Sequence, residues 1–209
     1  MPGAGRLLMR RARVLMENSN GSIVLASASP RRTELLALAG VSFSVVPADI
    51  CEDALPEELP ADHVMRLSRE KAEAVAAKTA GRFFIGADTI VVLDGAILGK
   101  PTDADDAARM LRGLSGRDHQ VITGFTVYDS ATFTCISHSV RTEVTFKKLE
   151  EKEIAAYIAT GCPMDKAGAY AIQGGAVHFV RSITGSYTNV IGLPMTELYE
   201  TLQTMNAVA

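Results

Sequence analysis

"IVLASASPRRTELLALAG", residues 23–40, changes its period part-way along. Ile23 to Ser27 is a short apolar run bounded by polar residues, which predicts a buried strand of a parallel or mixed sheet. From Ser29 the pattern is helical. Ser29 stands as N-cap, Pro30 occupies the favoured first position, and Leu35, Leu36, Leu38 and Ala39 form an apolar face before Gly40 stops the helix. The same stretch sets a problem, because Arg31 and Arg32 fall in the first helical turn. Unpaired N–H groups and the aligned backbone dipole make that end electropositive, so a cation there costs a few tenths to about 1 kcal/mol. Either both arginines point to solvent, or a polyanion sits at the helix start, where guanidinium forks match phosphate oxygens in pairs.

Outward from this unit, the pattern alternates between strands and helices. "VSFSVV" (41–46) reads as a second strand, and the acidic, proline-punctuated "PADICEDALPEELPAD" (47–62) as a loop. Residues 62–78 are helical in period, with Val64, Leu67, Ala74 and Val75 on one stripe and Lys71 on that same stripe. "RFFIGADTIVVLDGAILGKP" (82–101) is two apolar runs joined at Asp94-Gly95, a hairpin signal. Thr102, Asp103, Asp105 and Asp106 open a further helix that ends at Gly113. "HQVITGFTVYD" (119–129) and "HSVRTEVTFKKL" (138–149) alternate as consecutive strands, the second with Val140, Thr142, Val144 and Phe146 on one face. A helix over 150–161, a glycine-rich mixture of loop and short strands over 162–194, and a last helix from Met195 to about Met205 complete the chain. The sum predicts an α/β fold on a mixed sheet.

Composition narrows the function classes. A chain of 209 residues with a 47% hydrophobic fraction supports one compact unit, and a net charge of -3 provides no basic field for a polynucleotide. Three cysteines, Cys51, Cys135 and Cys162, lack any C-x-x-C pairing, which argues for a reducing, cytoplasmic setting. Four histidines show no zinc-ligand spacing. Arginines interrupt "RLLMRRARVLM" (6–16), so it fails as a secretory signal or membrane span, and residues 1–22 read as a poorly ordered N-terminal extension before a single domain over 23–209.

Five places in the chain carry candidate chemistry. Asp88 interrupts "FFIGADTIVV", where both flanks are apolar, and a carboxylate so placed must find a metal, a cation or a proton. It reads as a magnesium ligand, a base for water or a structural cap. Lys71 must snorkel to the helix rim or meet a negative partner. Lys100 in "LGKP" is a third cation; "GAILGK" fails the Walker A pattern in spacing and in its following residue. The acidic loop offers Asp49, Glu52 and Asp53 to share a hard divalent ion with Asp88. Asp165, Lys166 and Gln173 lie in the late glycine-rich stretch, and the Gln173 amide, donor and acceptor at once, suits a nucleobase edge.

Taken in order, "SASPRRTELL", "REKA", "GADTIVV", "LGKP", "GRDHQVITG", "DKAGAYAIQG" and "GSYTNVIGLP" resemble the Maf family of nucleoside triphosphate pyrophosphatases, from Ile23 to the final helix. The resemblance implies an elongated two-lobed α/β fold around a central cleft, shared with inosine triphosphate pyrophosphatases, in a cytoplasmic homodimer. It implies attack of water on the α-phosphate, assisted by Mg2+ or Mn2+, giving a nucleoside monophosphate and pyrophosphate. Asp88 matches the catalytic aspartate and, with Glu52, the metal ligands; Ser29, Arg32, Lys71 and Lys100 match cleft residues that bind phosphate. Arg31, Thr89 and Gln173 match the branch acting on dTTP and UTP, whereas the 7-methyl-GTP branch usually has glutamine after the aspartate. Cys51 departs from the pattern, standing where members commonly place an aspartate. The resemblance leaves a second class open, since members have also been described as inhibitors of septum formation, which would make the chain a nucleotide-binding regulator with little turnover.

Overall fold

The computed structural model describes residues 21–209, so the expected N-terminal extension lies, but for its last two residues, outside the described part. The architecture is the mixed α/β sheet that the pattern predicts. Strand β1 (Ile23–Ala26) leads through helix α1 (Pro30–Leu38) to β2 (Phe43–Val45), and helix α2 (Pro60–Ala76) leads to the long β3 (Phe83–Leu93). The hairpin strand β4 (Ala96–Leu98), α3 (Ala104–Leu114), β5 (Asp118–Asp129), β6 (Thr134–Phe146) and α4 (Glu151–Ala159) follow. A 3-10 turn (Ala167–Ala169), β7 (Val180–Thr184), α5 (Tyr187–Ile191) and α6 (Met195–Thr204) close the chain. The short helix α5 was not legible in the glycine-rich stretch.

The strands run in the order β2-β1-β3-β5-β6-β7, parallel from β2 to β3 and antiparallel beyond. β3 is the spine. One edge of it pairs with β5 from Phe83 to Val92. The other edge is shared: β1 covers Phe83 to Gly86 and β4 covers Val91 to Leu93, so Ala87 to Ile90 face no strand on that side. The Asp94-Gly95 turn that folds β4 back has positive φ at both residues (52° and 82°), as the asparagine/aspartate-glycine hairpin requires.

Period 2 along β3 distributes the core. Phe83, Ile85 and Ala87 pack with Leu35 and Leu36 of α1 and Leu198 and Leu202 of α6 on one face. Phe84 packs under Ala72 and Val75 of α2, and Ile90 and Val92 with Val64, on the other. β1 is buried on both faces, with Ile23 and Leu25 on the α1 side and Val24 and Ala26 under α2, which is why its sequence shows no alternation. A further cluster joins Val91, Val121, Val144 and Phe146 to Leu111 and Leu114 of α3 and to Ile154 and Tyr157 of α4.

Helix α2 lies closer to the sheet than an ordinary residue pattern permits. A Cβ on Gly86 would stand 1.9 Å from the Ser68 carbonyl oxygen, and one on Gly124 would stand 2.3 Å from that of Val64. Gly124 is the register partner of Asp88. These two glycines therefore let α2 settle onto the strands beside Asp88. The buried stripe of α2 is His63, Val64, Leu67, Ser68, Lys71, Ala72 and Val75; Ala74, expected on it, is only half-buried. Among the described residues no helix is long and apolar enough to cross a membrane.

Candidate active site

The unpaired stretch of β3 opens into a cavity of about 840 Å³ lined by consecutive residues Asp88, Thr89, Ile90 and Val91. Because successive side chains of a strand point to opposite faces, a cleft at an open strand edge meets both faces of the sheet. Asp88 is presented on the α2 side and Thr89 on the α1 side. Of the sequence-predicted residues, Ser29, Arg31, Arg32, Glu52, Lys71, Asp88, Thr89 and Lys100 all line this cleft.

Asp88 and Lys71 are 8% and 7% exposed, and their pairing answers the question that each posed in the sequence. The Lys71 Nζ donates to Asp88 Oδ1 at 2.7 Å and lies 2.6 Å from Glu52 Oε1. Lys71 does not snorkel; it is held between two carboxylates. Lys100, largely solvent-facing, stands 3.8 Å from Glu52 Oε2. Asp88 and Glu52 each set a hard carboxylate oxygen against the Lys71 ammonium, which fills the position between them, and among the described residues no group of three or more His, Cys, Asp or Glu side chains gathers to hold a metal. Two carboxylates fit Mg2+, which keeps waters and substrate phosphates for its other ligands.

The loop bearing Glu52 is tied down from below. Arg66 of α2 grips Glu58 with Nε on Oε1 at 2.6 Å and Nη2 on Oε2 at 2.8 Å, and its Nη2 also donates to the Asp53 carbonyl at 3.0 Å. His63 Nδ1 meets Glu58 Oε2 at 2.9 Å. The Arg66 guanidinium holds the Glu58 carboxyl well below the usual carboxylate range. His63 itself reaches the cleft wall. Neither it nor Arg66 was singled out from the sequence, although His63 lies on the buried stripe of α2 and Arg66 within one turn of it.

The two arginines of α1 separate in role. Arg32 spends four of its five N–H donors on the protein: Nε on the Gly192 carbonyl at 2.7 Å, Nη1 on the Ala87 carbonyl at 2.9 Å and on Ser27 Oγ at 3.2 Å, and Nη2 on Thr89 Oγ1 at 3.0 Å. It bridges the open edge of β3 to the end of α5. Burial lowers its pKa, and the Asp88 charge opposes that shift. Arg31 donates to no protein acceptor among the described residues and lines the cleft. Ser29 is the N-cap of α1, as expected, but its side chain makes no capping bond. Ser27, which joins Arg32 and the Ser29 amide, was missed because a serine at a strand end carries no distinguishing pattern.

Behind Thr89 runs a buried polar network. Thr89 Oγ1 meets Thr123 Oγ1 at 2.9 Å, Thr123 Oγ1 donates to the Asn189 carbonyl at 3.1 Å, and Asn189 Nδ2 donates to Thr142 Oγ1 and the Val121 carbonyl. This network fixes α5, and so the Gly192 carbonyl that Arg32 uses. Gln173 lies elsewhere. It is exposed in an adjoining groove of about 610 Å³ that shares Arg31, Asp165 and Lys166 with the main cleft.

An α1 start with one uncommitted arginine, a second cation at Lys100 and a lysine clasped by two carboxylates suit a ligand that brings several negative charges and a metal ion with it. The class is that of α/β proteins with a cation-lined cleft at an interrupted sheet edge. The chain belongs to the Maf family, whose model, described as Maf-like protein, matches residues 22–205. It is 60% identical over 189 residues to the dTTP/UTP pyrophosphatase of Geobacter sp. (strain M21), covering 90% of this chain and 98% of that protein. It is 58% identical over 193 residues to the protein of that name from Geotalea uraniireducens (strain Rf4), covering 92% and 100%. It is 51% identical over 189 residues to that of Shigella sonnei (strain Ss046), covering 90% and 94%.

Proposed function

We propose that the chain hydrolyses dTTP and UTP to the nucleoside monophosphate and pyrophosphate. The observation that carries this reading is the Glu52–Lys71–Asp88 cluster at the foot of a cation-lined cleft, in a chain whose relatives bear that name over nearly their full length. The unit responsible runs from Ile23 to the end of the chain. Three free cysteines fit a cytoplasmic setting. Assembly as a homodimer is carried over from the family resemblance.

In this reading the triphosphate enters with its charge met by Arg31, Lys100, Lys71 and the N–H groups that open α1, which lowers the electrostatic barrier to an incoming water. Asp88 and Glu52 would hold a Mg2+ or Mn2+ ion, which supplies Lewis-acid polarisation of the phosphoryl oxygens. Asp88 orients the attacking water and takes its proton at a carboxylate oxygen. Arg32 keeps the open strand edge in place and contributes its remaining Nη2 donor. Thr89, Arg31 and Gln173 favour the pyrimidine substrates.

The test is a pyrophosphate-release assay over canonical nucleoside triphosphates with and without Mg2+. Metal-dependent release that is highest with dTTP and UTP is the expected result. Binding without turnover would replace the enzyme by a nucleotide-binding regulator of septum formation, and release of orthophosphate would make it a phosphatase.

A further inference from the structure

The cleft cations and Gln173 line two adjoining cavities, and Arg31, Asp165 and Lys166 line both. A nucleotide with its phosphates at α1 and its base near Gln173 has to pass these three residues. Lys166 is unusual there. Its side chain is only 15% exposed, yet its ion pair is with the adjacent Asp165, whose side chain is 74% exposed. Two residues on, Gly168 adopts φ +66°, leaves no room for a Cβ against Val91, and donates its N–H to the Gly99 carbonyl beside Lys100, which ties this stretch to the main cleft.

The result is a carboxylate acceptor flanked by an ammonium donor in the same groove as the amide of Gln173. Uracil and thymine present an acceptor-donor-acceptor edge, O4, N3–H and O2. Cytosine presents donor-acceptor-acceptor. A donor-acceptor-donor set complements the first edge and sets a carboxylate against the N3 lone pair of the second.

We propose that Asp165 and Lys166 are specificity-determining residues that read the imide edge of uracil and thymine, with Asp165 accepting from N3–H and Lys166 and Gln173 donating to the flanking carbonyls. This rests on the pyrimidine triphosphate reading above and adds residues to it. The hydrogen bond from Lys166 holds the Asp165 carboxyl below its ordinary range, which keeps it an acceptor. The cost of a wrong base is the unpaired carboxylate it leaves.

The experiment measures equilibrium binding of the α,β-imido analogues of UTP, CTP and 3-methyl-UTP, which cannot be cleaved at the reacting bond, to the full chain and to Asp165→Asn and Asp165→Ala. The chain is expected to bind the UTP analogue about tenfold or more tighter than the other two. Asp165→Asn, whose amide can donate to cytosine N3, should narrow the gap between UTP and CTP, and Asp165→Ala should erase the penalty for the 3-methyl group. Ratios unchanged in both variants, or no binding of the UTP analogue, would overturn the assignment. Pyrophosphate release from UTP is read in parallel. Discrimination by Asp165 without turnover would sink the enzymatic reading and leave this one, and turnover with unchanged ratios would do the reverse.

Discussion

Arg31 and Arg32 are neighbours in sequence with equal claims on a phosphate, and they come apart only through what surrounds them. Two of the acceptors of Arg32 are backbone carbonyls, Ala87 and Gly192, and a carbonyl leaves no mark in a sequence. Asp88 was legible for the opposite reason. A carboxylate in a run of buried strand residues has few physical explanations, and the structure supplies Lys71 as the partner. Removing the Asp88 charge does not strand that lysine, because Glu52 still touches it at 2.6 Å. Asp88→Asn is therefore expected to keep its fold by circular dichroism and thermal melting while losing at least about a hundredfold in kcat, the usual span for a general base. Near-wild-type turnover would take Asp88 out of the reaction. Lys71→Ala is the harsher change, since it leaves a buried carboxylate unpaired at a cost of roughly 3–5 kcal/mol.

At the scale of elements, the site depends on how close α2 comes to β3 and β5. The periodicity of α2 was readable, and so was the position of Lys71 on its apolar stripe. The distance was not, because a glycine in a strand sequence signals only weakness or close approach without saying of what. Gly124 decides it, opposite Asp88 in the register and 2.3 Å from the Val64 carbonyl oxygen if given a Cβ. Gly124→Ala has to lift the helix. We expect a loss of about 1–3 kcal/mol or more, a fall of some 2–4 °C in Tm for each kcal/mol, and lower activity as the Lys71–Asp88 contact stretches. A variant as stable and active as the parent would show that α2 moves away without consequence. The same helix anchors the Glu52 loop through Arg66 and Glu58, so Arg66→Met should raise amide hydrogen exchange over residues 50–57. Unchanged exchange there would mean that the loop is held by other contacts.

For the whole molecule, the mixed sheet was predicted from alternating elements, while the break in one edge of β3 was not. It arises from a pairing of β1 and β4 on the same edge, a long-range outcome to which no local signal corresponds. Overall stability carries a signature of its own in His119, 3% exposed and joined by Nε2 to the Tyr170 hydroxyl at 2.7 Å. Burial pushes the imidazole down from 6.5 to about 4. Between those values the unfolded chain takes up a proton that the folded chain refuses, so the contribution of His119 is constant above pH 6.5 and stability falls as pH drops from there towards 4. Paired carboxylates such as Glu58 add to the loss only below their ordinary 4.5. Thermal melts of wild type and His119→Gln should differ in slope within that window, and equal slopes would assign the loss to other groups.

The most direct test of the account follows the oxygen. UTP is hydrolysed by the chain in water enriched in oxygen-18 with Mg2+ present, and the products are weighed by mass spectrometry. A cleft that brings water to the α-phosphorus places the label in the nucleoside monophosphate and leaves the pyrophosphate unlabelled. Label in the pyrophosphate, or orthophosphate as the released product, would contradict it.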